Sequence, residues 1–450
     1  MPVDSKHPSY ATLHHLTLAV RDCVEGEPIV KNKGEVYLPY PSDFERLRHE
    51  QKHELARIMY DMYKSRAELS SLVTEALFKM SGLVANGSCV VELPSRMEYL
   101  RDKATGDGLT LHNFYIQAVR EVLMAGRYGV LTDPDEAGLV RLYGYKSESI
   151  INWILNDDVL NIAVLKESYL SGGDEFAPEY KEQYRVLRLV DGVYQSQVYR
   201  DGSEQVDKTA MLTTAKNNGL AFIPLQPIRA VVNGWQIDNP IPLHPVSKNV
   251  LKAYQLSADY YHYLYNLSKV MLVTQGIDTN KDDSKPRGFS STQAVHLPAN
   301  AQATLLQANP SGIAAIKQAM DDKLIEARSL AMQLQATSGV EAAEAVRLKH
   351  ESQQITLRGV AVNAAQGIEN ALKTAAEIMG ENPNEVVFRA PESLIDQSLD
   401  IAELTGLGDL VLNNLMPKSV LWARMRQGKL TQLSDDDLEK ALSNQVVNGL

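Results

Sequence analysis

Cysteine is nearly absent from this chain of 450 residues. Cys23 and Cys89 are the only two, so neither a disulfide framework nor a thiolate zinc cluster has material to build on. A reducing interior fits that usage. Long apolar runs are missing as well: the uncharged stretch over residues 298–316 is broken by Pro, Asn and Gln, and the opening MPVDSKHPSY has no basic segment leading into an apolar one. Neither membrane insertion nor secretion is expected. Tryptophan is limited to Trp153, Trp235 and Trp422, too few and too scattered for a base-stacking platform. Positive charge is also short, with 45 Lys and Arg against 56 Asp and Glu, a net of -11. Acid is concentrated late, where residues 381–409 hold seven acidic side chains against Arg389 alone. A protein built to grip DNA carries the opposite sign on its main surface, because affinity for phosphates comes from Lys and Arg releasing counterions. Tight nucleic-acid binding is disfavoured, while passage of DNA past the protein is not.

Catalytic signatures are equally sparse. No G-x-x-x-x-G-K-[ST] occurs, which excludes a P-loop motor. Gly406-Leu407-Gly408 starts a dinucleotide fingerprint that no third glycine completes. His49-Glu50-Gln51-Lys52-His53 is a literal H-E-x-x-H, the pattern in which two histidines one turn apart hold zinc and the glutamate activates water. On a helical wheel centred on the apolar stripe, however, both histidines fall on the polar side, at about 140° and about 180°, beside Arg46 and Tyr60. The positions where the extended motif needs glycine and a third histidine hold Ala56 and Met59. A solvated face is the preferred reading, and a zinc-dependent hydrolase using His49, Glu50 and His53 is the rival. The acidic pairs at Asp321-Asp322 and Asp435 to Asp437 read as solvated turns. No catalytic residue, metal site or cofactor is assigned, and the chain is expected not to be an enzyme.

What is present is pattern. After an irregular first forty residues, Ser42 or Asp43 caps a helix in which Phe44, Leu47, Leu55, Ile58, Met59 and Met62 share an arc of about 120°. That helix is expected to continue towards Met80. Helical text resumes near Leu109 and stops at Gly126, and residues 127–132 read as a strand ahead of Asp133-Pro134. Short strands follow over 159–165, 184–190, 193–199 and 220–232, with Asp191-Gly192 as a hairpin turn. Residues 1–240 thus predict an α+β domain. Asn239-Pro240-Ile241-Pro242 then punctuates a change to helices. A first helix over 246–272 carries Tyr254, Tyr260, Tyr261, Tyr263 and Tyr265 around most of its circumference, so it must pack on more than one side. Asn309 and Pro310 open a second helix with a stripe of Ile313, Ile316, Met320, Leu324, Ala327, Ala331 and Leu334. A break at 336–339 precedes a helix over 340–379, about 60 Å long at 1.5 Å per residue, with bends expected at Gly359 and Gly367. The remainder is a strand over 386–388 and short helices.

Three stretches carry a resemblance to a known family: Tyr40-Pro41-Ser42-Asp43-Phe44-Glu45-Arg46-Leu47-Arg48-His49-Glu50 with its continuation over 55–69; Leu251-Lys252-Ala253-Tyr254-Gln255-Leu256-Ser257-Ala258-Asp259-Tyr260; and Ser338-Gly339-Val340-Glu341-Ala342-Ala343-Glu344-Ala345. Over residues 40–380 the chain resembles the portal (connector) proteins of tailed bacteriophages, in a branch known only as a phage domain of unknown function. The resemblance implies a homo-oligomeric ring, usually of twelve copies, at one capsid vertex. Double-stranded DNA passes through it without sequence specificity, in packaging and in ejection. It further implies a wing over 1–240, stem helices over 245–272 and 309–335, a clip over 273–308, a tunnel loop over 336–344, a long kinked helix over 340–380 and an acidic, mainly helical crown over 381–450. Ser338, Gly339, Val340 and Glu341 would then face the channel constriction, and Lys281, Lys285 and Arg287 would serve the docking of partners on the clip. Those partners would be the large subunit of a terminase, which supplies the energy, and a head-tail adaptor, with major capsid and scaffolding proteins around the vertex. The protein would be assembled in the host bacterial cytoplasm and reside in the virion. A lumen of negative sign keeps DNA mobile while a few cations give local, salt-sensitive contacts, and Lys248, Lys252, Lys269, Lys317 and Lys323 are the candidates. A helical scaffolding protein without a channel is a third possibility, but it has no need of the strand-rich region 127–232.

Overall fold

His7 sets the first element. Its Nδ1 accepts a hydrogen bond from the Ser9 N–H (3.2 Å) and Pro8 takes the first helical position, starting α1 (Pro8–Glu25). The opening forty residues are therefore largely helical, not irregular: α2 (Glu27–Asn32) follows at once. The inner face of α1 mixes Tyr10, Thr17, Val20, Asp22 and Cys23, which gives no clean apolar stripe in the sequence. In this computed structural model the described residues are 2–135, 137–174, 176–200, 219–235, 240–267, 271–275, 302–306, 311–332, 343–391, 409–411 and 416–427.

The single helix expected from Phe44 towards Met80 is three: α3 (Ser42–His49), α4 (His53–Arg66) and α5 (Leu72–Ala85). Gln51, in the left-handed region at φ 63°, makes the first break, and the polar run from His49 to Lys52 offers nothing apolar to hold a helix through it. The break rotates α4. Its buried face is Ala56, Tyr60 and Tyr63, while Leu55, Ile58 and Met62 are exposed. The unbroken wheel puts Tyr60 on the polar side, yet each buried phenol has a partner: Tyr60 donates to the Leu38 carbonyl (2.6 Å) and Tyr63 to Asp259 Oδ1 (2.6 Å), so burial of the rings costs no unmade hydrogen bond.

After the short α6 (Tyr99–Asp102), Thr110 accepts from the Asn113 N–H (3.2 Å) and caps α7 (Leu111–Ala125), which Gly126 ends at φ 72°. Two antiparallel sheets follow. β1 (Val90–Glu92) lies ahead of them; β2 (Arg127–Pro134), β3 (Val140–Lys146) and β8 (Leu225–Arg229) form a sheet in the order β3-β2-β8. β4 (Ile150–Asn156), β5 (Val159–Gly173), β6 (Pro178–Val190) and β7 (Val193–Arg200) form a meander. Asp191 (φ 52°) and Gly192 (φ 76°) both adopt positive φ between β6 and β7, the two-residue hairpin their sequence predicts. β8 covers only part of the 220–232 run, because residues 220–224 lead into it and Val231 and Val232 are exposed beyond it.

α8 (His244–Leu267) and α9 (Ser311–Met332) pack along each other, and the antiparallel pair β9 (Met271–Gln275) and β10 (Gln302–Leu306) lies between them in sequence. Met271 and Leu272 thus belong to a strand and not to the first long helix. The Asn309-Pro310 cap and the whole segment between the strands, 276–301, fall outside the described residues. α10 (Ala343–Met379) remains helical through both Gly359 and Gly367. Gly367 serves close approach: a Cβ there would sit 2.4 Å from Ile228 Cγ1 on β8. Val360, Ala361, Ala364, Ile368, Ala371 and Leu372 are fully buried along α10. Small side chains at that spacing bring its backbone down onto the β3-β2-β8 sheet, where Thr132 Oγ1 donates to the Ala371 carbonyl (3.1 Å) and Tyr115 on α7 donates to that of Ala361 (3.2 Å). β11 (Val387–Arg389) then pairs antiparallel with β1, returning the chain to its N-terminal part. α11 (Lys418–Gln427) is the last described element. The architecture is α+β, as the sequence predicts.

Candidate functional site

Three of the five candidate cations meet. Lys248 and Lys252 stand one turn apart on α8, Lys323 comes from α9, and with His244, Gln255 and Ala19 of α1 they line one cleft of about 330 Å³. Lys252 Nζ donates to Gln255 Oε1 (3.2 Å) and Lys323 Nζ to Glu326 Oε2 (2.7 Å). The Lys323 hydrogen bond, with Lys323 and Lys248 as positive neighbours and a hydrogen bond from Asn249, holds the Glu326 carboxyl below its usual range. α8 leads towards β9 and β10 leads towards α9, and since β9 and β10 pair antiparallel the two packed helices run antiparallel as well. Burial, then Lys248 and His15, lower the His244 pKa, which keeps the imidazole neutral at pH 7 and leaves the ammonium groups as the cleft's charge. Three ammonium groups thus converge on one cleft, with the Glu326 carboxylate beside Lys323.

Lys317 is exposed on the first half of α9 and does not line this cleft. Lys269, Ser338, Gly339, Val340, Glu341, Lys281, Lys285 and Arg287 lie outside the described residues.

The H-E-x-x-H sequence does not form a metal site. His49 ends α3, His53 begins α4 and Gln51 turns between them, so the two imidazoles are not on consecutive turns of one helix as the motif requires. Among the described residues no group of three or more His, Cys, Asp or Glu side chains is placed to hold a metal ion. Burial pushes the Cys23 thiol up to about 12 and that of Cys89 up to about 11; both are protonated at neutral pH and poor nucleophiles. Among the described residues no helix is long and apolar enough to cross a membrane.

Two features escaped the sequence. One is a buried charge cluster between the sheets. Arg185 on β6 donates from Nε to Glu167 Oε1 on β5 (2.6 Å), Tyr145 and Gln183 also donate to Glu167 (2.6 and 2.8 Å), and Arg185 reaches Asp133 on β2 at 3.9 Å. Two carboxylates share one guanidinium. Glu167 takes the hydrogen bonds, and burial pushes Asp133 up to about 6 despite Arg185. The other is apolar exposure outside the core, on α4 (Leu55, Ile58, Met62), on α9 (Ile325) and at the end of the β5-β6 hairpin (Leu170, Phe176, Tyr180). Strand pairing and helix rotation decide both features, and neither is periodic in the text.

Residues 242–379, from the start of α8 to the end of α10, match a protein family described as a domain of unknown function (DUF4055). No curated protein matches the chain. Solved structures similar to it include three from gene transfer agent (GTA) particles. A chain from the virion of the native GTA particle is 13% identical, with 83% of this chain and 89% of that one covered, at a TM-score of 0.40. A chain from the neck of the empty particle, computed with C6 symmetry, is 13% identical over 83% of this chain and 90% of that one, at 0.38. A chain from the neck of the native particle, computed with C12 symmetry, is 12% identical over 81% and 88%, at 0.36.

Proposed function

We propose that this protein is a portal protein of a double-stranded DNA phage. In this reading it forms a homo-oligomeric ring of about twelve copies at one capsid vertex, with DNA packaged and ejected through its channel. A terminase and a head-tail adaptor dock on the ring. The protein acts without catalysis of its own, as a virion component assembled in the host cytoplasm. The observation that carries the reading is the α8–α9 hairpin. Two antiparallel helices of 24 and 22 residues, with a β-pair between them in sequence, feed a 37-residue helix, the order expected of stem, clip, stem and long helix. Packing within one chain leaves that hairpin half finished. Tyr254 and Ala258 are buried, but Tyr260, Tyr261, Tyr263 and Tyr265 beyond them are only half-buried and Ile325 is exposed. A ring neighbour on each flank is what such a surface requires. Lys248, Lys252 and Lys323 supply the few cations of an otherwise acidic conduit.

Negative-stain electron microscopy with class averaging, run beside light scattering for mass, tests this. Rings with a central hole and a mass near twelve subunits are expected. A uniform monomer or dimer across protein concentrations would overturn the reading.

A further inference from the structure

β5 and β6 outrun their sheet. β4 pairs with β5 only as far as Leu165 and β7 pairs with β6 only from Gln183, so among the described residues the last eight positions of β5 pair with β6 alone. This two-stranded arm ends in a constructed tip. Asp174 Oδ1 accepts from the N–H groups of Phe176 and Ala177 (2.8 Å each), and Gly173, at φ 95°, leaves no space for a Cβ, which would meet the Ala177 carbonyl oxygen at 2.2 Å. The turn holds Phe176 outward, 88% exposed, above the exposed cross-strand pair Leu170 and Tyr180. A lone hairpin is marginal in water, and an apolar pair on one with both edges open favours contact with another chain.

The other end of the same strand carries a hollow. A cleft of about 310 Å³ is lined by Val159 at the start of β5 together with Phe222, Ile223, Pro227 and Trp235. Its floor is built as firmly as the tip. Asn233 accepts from the Arg229 N–H (2.9 Å) and donates to the Asn363 carbonyl on α10 (2.7 Å), and the adjoining Val231 and Val232 stand exposed beside it. Benzene fills a cavity of about 150 Å³, so the cleft admits the Phe176 ring with part of a neighbouring side chain. The fifteen residues of β5 separate the two features, roughly 50 Å at about 3.3 Å per residue, so a tip cannot fold into its own cleft.

We infer that the Phe176 tip of one copy seats in the Val159–Trp235 cleft of the next, a head-to-tail contact between copies of this chain. The inference rests on the ring reading above and names one of its interfaces. A knob and a hole at opposite ends of one strand make a heterologous contact, the kind that closes into rings when the rotation allows. Aromatic side chains bury about 150–250 Å² each, so Phe176 and Tyr180 supply on the order of half the ~800 Å² per partner of a standard interface. The tip is therefore an anchor, and the flanks of the α8–α9 hairpin supply further area.

Cross-linking tests it. In a Phe176→Cys, Val232→Cys double variant, mild oxidation is expected to yield a reducible ladder of dimers and higher species that neither single variant gives. Cys23 and Cys89 contribute little background, being buried and half-buried. Phe176→Asp, at an exposed position, should leave the circular dichroism spectrum and melting of the subunit unchanged and lower the assembled mass at least several-fold at equal concentration. Wild-type rings that persist in Phe176→Asp with no ladder in the double variant would overturn the tip-in-cleft contact and leave the ring reading intact. A monomeric wild type with no ladder would overturn both. An intrachain disulfide, detected as a faster-migrating monomer, would overturn the head-to-tail contact alone.

Discussion

α10 and the α8–α9 hairpin are both helical and both lie within one family match, yet they end differently. From Leu357 onward α10 is seated inside the protomer: alanines and Gly367 bring it onto β8, and its carbonyls give the buried hydroxyls of Thr132 and Tyr115 their acceptors. The hairpin buries the first half of α8 and then carries half-exposed tyrosines, an exposed Ile325 and three convergent lysines. The contrast separates a helix that one chain completes from a hairpin whose outer surface it leaves open.

The largest expected effect lies on the closed side. Leu372→Ala removes a fully buried side chain from α10 and should cost about 3 kcal/mol in urea unfolding; a loss under about 1 kcal/mol would mean that this helix is not seated as described. Next is the charge cluster between the sheets. Asp133 has its pKa pushed up to about 6 in the folded protein, against 3.8 for an ordinary aspartate, chiefly by burial. The folded state therefore binds more protons between those values. Its contribution favours folding at low pH and is lost as pH rises through 6. Asp133→Asn should raise stability at pH 8 by on the order of 2 kcal/mol and flatten the stability profile between pH 4 and 7, as thermal melts across that range would record. An unchanged profile would show that Arg185 compensates Asp133 fully. The smallest effect belongs to the open side: Ile58→Ser with Met62→Ser on α4 should shift the unfolding free energy of the unassembled subunit by no more than about 0.5 kcal/mol. A loss of several kcal/mol there would place this stripe in the protomer's own core and erase the contrast.

Local chemistry was legible where one or two residues decide the outcome. Gly126 ends α7, Asp191-Gly192 turns β6 into β7, and the long helices stand where apolar spacing places them. The site was legible in part. Lys248 and Lys252 share a face by spacing alone, but their meeting with Lys323 depends on how α8 and α9 pair. α1 is not legible because its inner face mixes polar and apolar residues, and an unbroken wheel turns Leu55, Ile58 and Met62 of α4 inward, where the structure exposes them. A turn of three residues at Glu50 to Lys52 resets the phase of every side chain after it.

Periodicity, turn residues and charge balance determined the three long helices, the step from α7 into β2, the β6–β7 hairpin, the α+β class and the acidic character of the chain. These follow from interactions between residues a few positions apart. Tertiary structure alone decided that tyrosines and not aliphatic residues line the inner face of α4, that Gly367 exists to admit Ile228, that Asp133 and Glu167 share one arginine, and that Phe176 is held away from the core. Each depends on a partner brought near by the chain's path, and the free energy of burying a group is set by that partner and not by the group's own place in the text.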